Sequence, residues 1–489
     1  MISPSEIFKR QNMPFTRNGL VAALNHKITL QRSISNWKVW RESSVNCRIF
    51  ASMLIVGGLG LAVTIFSALK EIVIAHQFGA GDNLDAFLIA YLVPAFAINV
   101  VARSFNAALI PTYTEVREQE GKEAAQRLFS SCIVWSSGLL IAFSILLAAA
   151  SPYILPILGS GFNREKLALT HKLFLIVLPT LPLTGMFLTW SAVLNARERF
   201  ALAAFAPVLT PIVVISLVLI LGEKWGVYAF AVALVIGAAL ESSVMIIALM
   251  KEGISPVPRW HGMSPSLRQV RNQYMPMVAG GLMMGSTGLV DKSLAAMLKP
   301  GSVSVLNYGS KITAVFVSIV AMAVSTAVLP QFSRMVVAGL WTNLGCTIKT
   351  YTRLIFSITI PLTFILILLS NSLVRLLFQK GAFTASDTLQ VALVQNLYIL
   401  QLPFYVCGML YVRLISAFKA NHILMWGTAI SFVLNIGLDW LFMKWLGVPG
   451  IALSTSMVYL VSFCYLWRMS LQLLRGNALN SSSAQVIGK

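Results

Sequence analysis

Twelve successive apolar stretches occupy most of this chain, each near or above the roughly 20 residues that a helix needs to cross a bilayer. They lie near 49–78, 83–111, 128–150, 167–194, 200–221, 226–250, 268–298, 303–333, 350–374, 386–417, 422–443 and 447–474. In lipid every backbone N–H and C=O must be satisfied within its own segment or a closed barrel, so stretches of this length predict helices. The fold class that follows is an all-α polytopic membrane protein of about 12 transmembrane helices. With 57% hydrophobic and only 11% charged residues, the chain cannot be an ordinary soluble globule.

The charge balance is a guide to topology. Lys and Arg number 37 against 17 Asp and Glu, a net charge of +20. The positive residues fall mostly between apolar runs instead of gathering on one soluble domain, which argues against nucleic acid as a partner. Placing both termini in the cytoplasm puts most of the Lys and Arg in inside segments, as the positive-inside rule requires. The expected organisation is a basic cytoplasmic extension over 1–48, a six-helix lobe over 49–250, a cytoplasmic linker over 251–267, a second six-helix lobe over 268–474 and a tail over 475–489. No outside loop reaches twenty residues, leaving no room for an extracytoplasmic catalytic domain. GxSxG, HExxH and P-loop motifs are absent, and the five cysteines have no CxxC or Cys/His spacing. A transporter is expected, not an enzyme.

An internal repeat organises the stretches. Leu109-Ile110-Pro111 recurs as Val328-Leu329-Pro330, Gly161-Phe162 as Gly381-Ala382-Phe383, and Trp225-Gly226-Val227 as Leu446-Gly447-Val448. The offsets all lie near 220 residues, which favours two equivalent lobes around a central cavity over chance placement of helix-end Gly and Pro.

Ionised side chains inside such stretches are costly unless they meet a partner or a wet cavity, so each is a candidate for function. Lys70, Arg103, Lys292 and Lys311 could line a cavity for an anion, and phosphate or pyrophosphate suits ammonium and guanidinium donors best. The bland alternative pairs Lys70 with Glu71 and Lys292 with Asp291, and lets Arg103 snorkel to an interface. A second group is rich in oxygen. Asn435 and Asp439, four residues apart, share a helix face, while Asp291 and Thr455 come from other stretches. Oxygen donors suit Na⁺, or a carboxylate there could exchange a proton. Alternatively, Asp291 only neutralises Lys292 and Asp439 marks the outside interface.

Several segments resemble the MurJ/MviN family of bacterial lipid II flippases. They are Lys70-Glu71-Ile72-Val73-Ile74-Ala75 through Phe78-Gly79-Ala80-Gly81 to Asp85-Ala86-Phe87; Leu194-Asn195-Ala196 followed by Arg199-Phe200 and Ala204-Phe205-Ala206-Pro207; and Phe378-Gln379-Lys380-Gly381-Ala382-Phe383-Thr384. The resemblance implies a V-shaped, two-lobed flippase that alternates between inward-open and outward-open states. It assigns Lys70, Glu71, Asp85 and Lys311 to contacting or gating the substrate pyrophosphate. It also implies, as in some members, a sodium site at Asp291, Asn435, Asp439, Thr455 and the Ile451 carbonyl, with membrane potential or Na⁺ as the drive and no other cofactor. Where the family usually carries arginine, this chain has Thr64, Ile98-Asn99 and lysines in place of bidentate guanidinium groups. The family commonly has fourteen helices, two more than the twelve stretches here.

The expected function is therefore translocation of an undecaprenyl-pyrophosphate-linked saccharide, lipid II or a related polysaccharide unit, outward across the bacterial inner membrane. Lys292 and Arg103 join the expected substrate-binding residues. Membrane lipids and glycan-assembly proteins are the expected partners of a monomer. The rival reading is a cation-coupled drug antiporter of the same superfamily, whose cavity should be dominated by acids and aromatics.

Overall fold

The computed structural model describes residues 45–197 and 199–487, without the side chains of 45–55, 284, 319–330 and 477–487. The extension expected at 1–48 lies outside the described residues as far as residue 44, and the side chains of the Val328-Leu329-Pro330 repeat match also lie outside them. The chain divides into two compact units, Met1–Leu61 and Ala62–Lys489, and every candidate site residue belongs to the second.

Among the described residues the structure is helical throughout. The first lobe comprises α1 (Val45–Phe78), α2 (Asp82–Ala97), a π-helical turn (Ile98–Ala102), α3 (Arg103–Gln119), α4 (Lys122–Leu158), α5 (Arg164–Val177), α6 (Thr180–Ala196), α7 (Phe200–Phe205), α8 (Leu209–Trp225) and α9 (Val227–Lys251). The second comprises α10 (Pro265–Ala296), α11 (Ser302–Val337), α12 (Trp341–Phe378), α13 (Ala385–Ile399), α14 (Leu402–Ala417), α15 (Asn421–Leu446) and α16 (Val448–Ile487). Ten helical rods are long and apolar enough to cross a membrane among the described residues, and α10 and α11 are two further long helices. The rods often outrun the apolar stretches. That at 128–150 becomes Lys122–Leu158, because a polar first turn continues the helix beyond the lipid-compatible part.

Equivalent places in the two lobes are built alike. The α5/α6 rod breaks around Pro179 and the α13/α14 rod just before Pro403, where a ring without an N–H interrupts the helical ladder. Asn163 caps α5 through Lys166 N (2.8 Å), and Thr384 caps α13 through Asp387 N (3.2 Å). Gly226 and Gly447, which separate α8 from α9 and α15 from α16, share nearly the same backbone angles, φ/ψ of 54°/−137° and 68°/−135°.

The cores explain the shape of this unit. At the end of the bundle near Gly79–Gly81, one apolar core joins both lobes: Ile74, Leu84 and Phe87 pack in the same cluster as Val303, Tyr308, Phe378 and Phe383. At the opposite end the cores are separate. Phe105, Tyr113, Phe129 and Trp190 form one cluster, while Phe332, Leu344, Tyr411 and Leu414 form another. The first part of α10 joins the first lobe's cluster through Leu267, Val270 and Tyr274. Shared packing at one end and split packing at the other leave a space between the lobes.

Candidate functional site

Beside that space is a cavity of about 560 Å³, walled mainly by the first lobe and closed from the second by Lys292, Asn307 and Lys311; Lys70, Glu71, Arg103 and Glu241 also line it. Lys70 and Glu71 come from α1, Lys311 from α11. Both ammonium groups reach the same carboxylate oxygen, Glu71 Oε1, at 3.2 and 3.0 Å. The Lys311–Glu71 pair spans the two lobes. Four cations thus face two acids, and the lining keeps a net charge of +2. A cavity walled by one sign of charge concentrates the field inside it, so an anion is favoured.

Arg103 is aimed by its helix. The π turn at Ile98–Ala102 follows Pro94 and places one extra residue in the turn just before Arg103. Gly285 lies so close to the Phe96 ring that a Cβ there would push the ring aside, whereas one at Gly281 would make ordinary contact with Val100. Lys292 and Asp291 diverge, because adjacent helical positions face directions about 100° apart. Lys292 lines the cavity, whereas Asp291 Oδ1 accepts a 3.3 Å hydrogen bond from Asn435 Nδ2 on α15.

Asn435 and Asp439 are almost fully buried, at 2% and 0% exposure. Neither carboxylate oxygen of Asp439 nor Asn435 Oδ1 has a hydrogen bond of ordinary geometry. Thr455 lies on α16 and donates to the Ile451 carbonyl at 3.2 Å. Orphaned, buried oxygens of this kind are expensive to leave unpaired. Their chemistry, carboxylate, amide carbonyl and hydroxyl, fits a hard monovalent cation. Among the described residues no group of three or more His, Cys, Asp or Glu side chains converges, so this donor set does not suit a transition metal.

Asp85 lies elsewhere. It is absent from the cavity lining and sits at the closed end, 1% exposed. Its carboxylate accepts from Gly301 N (2.8 Å), Ser304 N (2.7 Å) and Ser304 Oγ (2.6 Å), capping the first turn of α11 from the opposite lobe. Lys166 Nζ adds a 3.3 Å ion pair and also reaches Asp82. Asp85 and Ser304 are 219 residues apart, so equivalent positions of the two lobes meet here. Two further contacts are related in the same way. A Cβ at Gly161 would overlap the Ala296 carbonyl, and one at Gly381 would overlap the His76 carbonyl, to which Ala382 N donates at 2.8 Å.

Glu241, 8% exposed on α9, is a cavity-lining acid that the expected set of charges does not include. It stands alone in the otherwise uncharged stretch 227–250, and that isolation was the available signal.

Similarity to known proteins agrees with this geometry. The family model described as "Lipid II flippase MurJ" matches residues 74–486. The chain belongs to the lipid II flippase MurJ family. A probable lipid II flippase MurJ of Thermotoga maritima is 26% identical over 81% of this chain and 80% of its own length. A lipid II flippase MurJ of Burkholderia cenocepacia is 25% identical over 70% and 68% of the two chains. Among solved structures, a lipid II flippase MurJ in an inward closed conformation superposes with a TM-score of 0.74 at 25% identity, covering 89% of this chain and 92% of that one. An inward-facing multidrug resistance MATE family transporter superposes with a TM-score of 0.75 but at 14% identity, a likeness of fold alone.

Proposed function

We propose that this multi-pass membrane protein is a flippase for a lipid-linked saccharide carrying a polyprenyl diphosphate, lipid II or a related polysaccharide unit, and that it works by alternating access. The observation that carries this reading is the cation-rich cavity between the lobes, with Lys70 and Lys311 converging on one carboxylate. A diphosphate offers more negative oxygens than Glu71 can, so it competes for both ammonium groups and loosens the ion pair that joins the lobes. Arg103 and Lys292 supply further donors. The sugar would occupy the hydrated space while the polyprenyl chain stays in lipid.

Arg117, Lys122, Arg127, Arg197 and Arg199 lie at the split end, and because positive residues favour the inside this supports placing the split end toward the cytoplasm and the closed end toward the periplasm. Capture then occurs inside and release outside. Release needs the closed end to part, and the capping of α11 by Asp85 is the contact that must break. The orphaned oxygens of Asn435 and Asp439, with the Asp291 carboxylate, Thr455 and the Ile451 carbonyl, would hold Na⁺, which supplies a positive charge that neutralises the buried acids. Such an ion drives the cycle only if these oxygens keep their arrangement in one state of the lobes and lose it in the other.

The drug-antiporter reading is less well supported, because cations outnumber acids in the cavity. Mass spectrometry of lipids copurified with the protein tests the proposal. Wild type should carry a polyprenyl diphosphate saccharide, and Lys311→Ala should carry about tenfold less, the loss expected for one charge-assisted contact. Bulk phospholipid alone in both preparations would refute it.

A further inference from the structure

A second basic recess lies in the first lobe at the split end. It has a volume of about 430 Å³, within the roughly 300–1,000 Å³ range of small-ligand sites, and shares no lining residue with the central cavity. Three regions distant in sequence build it, the first of them the junction of two consecutive helices. Arg117 stands one helical turn beyond Tyr113 on α3, Lys122 and Arg127 come from the start of α4, Arg197 from the turn after α6, and Ile254 from the turn after α9.

The local contacts leave the recess positive. Arg197 Nη1 donates to the main-chain carbonyl of Glu252 at 2.9 Å, which holds the guanidinium in place. The Glu252 carboxylate is instead taken by Arg199, also at 2.9 Å. Arg197 is thereby oriented without being neutralised. Glu123 is the one acid in the lining, 95% exposed and 4.0 Å from Arg127, too far and too solvated to cancel four cations. Gln126 Nε2 ties α4 to the Ser255 carbonyl at 2.9 Å, so the walls are joined to each other. Tyr113 and Ile254, 4% and 5% exposed, form a firm apolar floor.

Cations that served only to orient the chain in the membrane could point away from one another into water. These converge on a recess, where their mutual repulsion is relieved by an anion, and guanidinium groups match phosphate oxygens in pairs. We propose that this recess is a second anion site that binds a phosphate ester, delivered either as the headgroup of an anionic lipid or as a soluble phosphate. Its place at the ends of the rods suits a headgroup, and Arg197 belongs to the Asn195–Phe200 segment, which the transport cavity leaves unexplained. The proposal does not rest on the flippase reading.

The test uses full-length protein in a zwitterionic detergent, with binding measured for short-chain phosphatidylglycerol, inorganic phosphate and phosphatidylcholine. Phosphatidylglycerol should bind saturably and more weakly as salt is raised. Arg117→Gln and Arg197→Gln should each weaken it about tenfold. Lys311→Gln in the central cavity should leave it unchanged, which separates this site from the transport site. Arg127→Gln, on an exposed side chain, provides a variant that keeps the fold if Arg197→Gln does not, and it should weaken binding severalfold. Competition by inorganic phosphate would identify a soluble phosphate ligand, and its absence a lipid headgroup. Equal binding of phosphatidylcholine, no binding of either phosphate compound, or unaltered affinity in the arginine variants would overturn the proposal.

Discussion

Asp85 and Asp439 are both carboxylates buried in an apolar bundle, yet one accepts four hydrogen bonds and the other none of ordinary geometry. The difference separates two kinds of work. A saturated acid holds its surroundings together, since every donor around it would be orphaned if it left. An unsaturated acid is a cost carried by the resting structure, and it is relieved when a proton or cation arrives. Asp85 closes one end of the molecule, whereas Asp439 waits in the second lobe.

The largest effect should come from emptying the saturated site. Asp85→Ala leaves two amide groups and a hydroxyl without their acceptor and Lys166 with Asp82 alone, a loss of about 3–5 kcal/mol by analogy with broken buried pairs. Hydrogen exchange at Gly301 and Ser304 should accelerate at least about a hundredfold. Unaltered protection there would remove the latch from the account.

Gly381 and Gly161 sharpen the view of that closed end. Both contact a carbonyl of the opposite lobe, but only Gly381 has a positive φ, +63°. Gly381→Ala therefore combines overlap with left-handed strain, about 2–4 kcal/mol, and Gly161→Ala overlap alone, about 1–3 kcal/mol. Thermal unfolding should rank them in that order, and the reverse ranking would mean the two contacts are not equivalent.

The unsaturated site predicts the opposite behaviour. Asp439→Asn should leave the melting temperature in potassium unchanged or higher, while abolishing the stabilisation by sodium expected of wild type. That stabilisation should reach about 2.7 kcal/mol at a hundredfold excess over Kd. Stabilisation by sodium that survives the substitution would place the ion elsewhere. The smallest effect on stability belongs to Glu71→Gln, about 1 kcal/mol or less for a partly solvated pair. It should nevertheless tighten diphosphate binding severalfold, because two ammonium groups lose their internal competitor. A measured weakening would make Glu71 a ligand instead.

The fold class was legible because lipid is a strict solvent: an all-helical membrane bundle and the unusual charges within it follow from apolar length and the cost of burial. The Gly226/Gly447 match carries through to the backbone angles. Partnership was not legible. Nothing in the spacing tells that Lys311 meets Glu71 240 residues away, or that Asp85 faces a helix terminus instead of the cavity. Adjacent Asp291 and Lys292 read equally as a pair or as two residues serving different sites, and only helix packing separates them. The π turn before Arg103 left no motif in the sequence.

Direct binding of a water-dispersible polyprenyl diphosphate to the purified protein, compared with the matching neutral polyprenol, tests the central idea that paired phosphates are recognised between the lobes. Wild type should prefer the diphosphate by at least about a hundredfold, two charge-assisted contacts' worth, and Lys70→Ala with Lys311→Ala should erase that preference. Equal affinity for the neutral alcohol in wild type would contradict it.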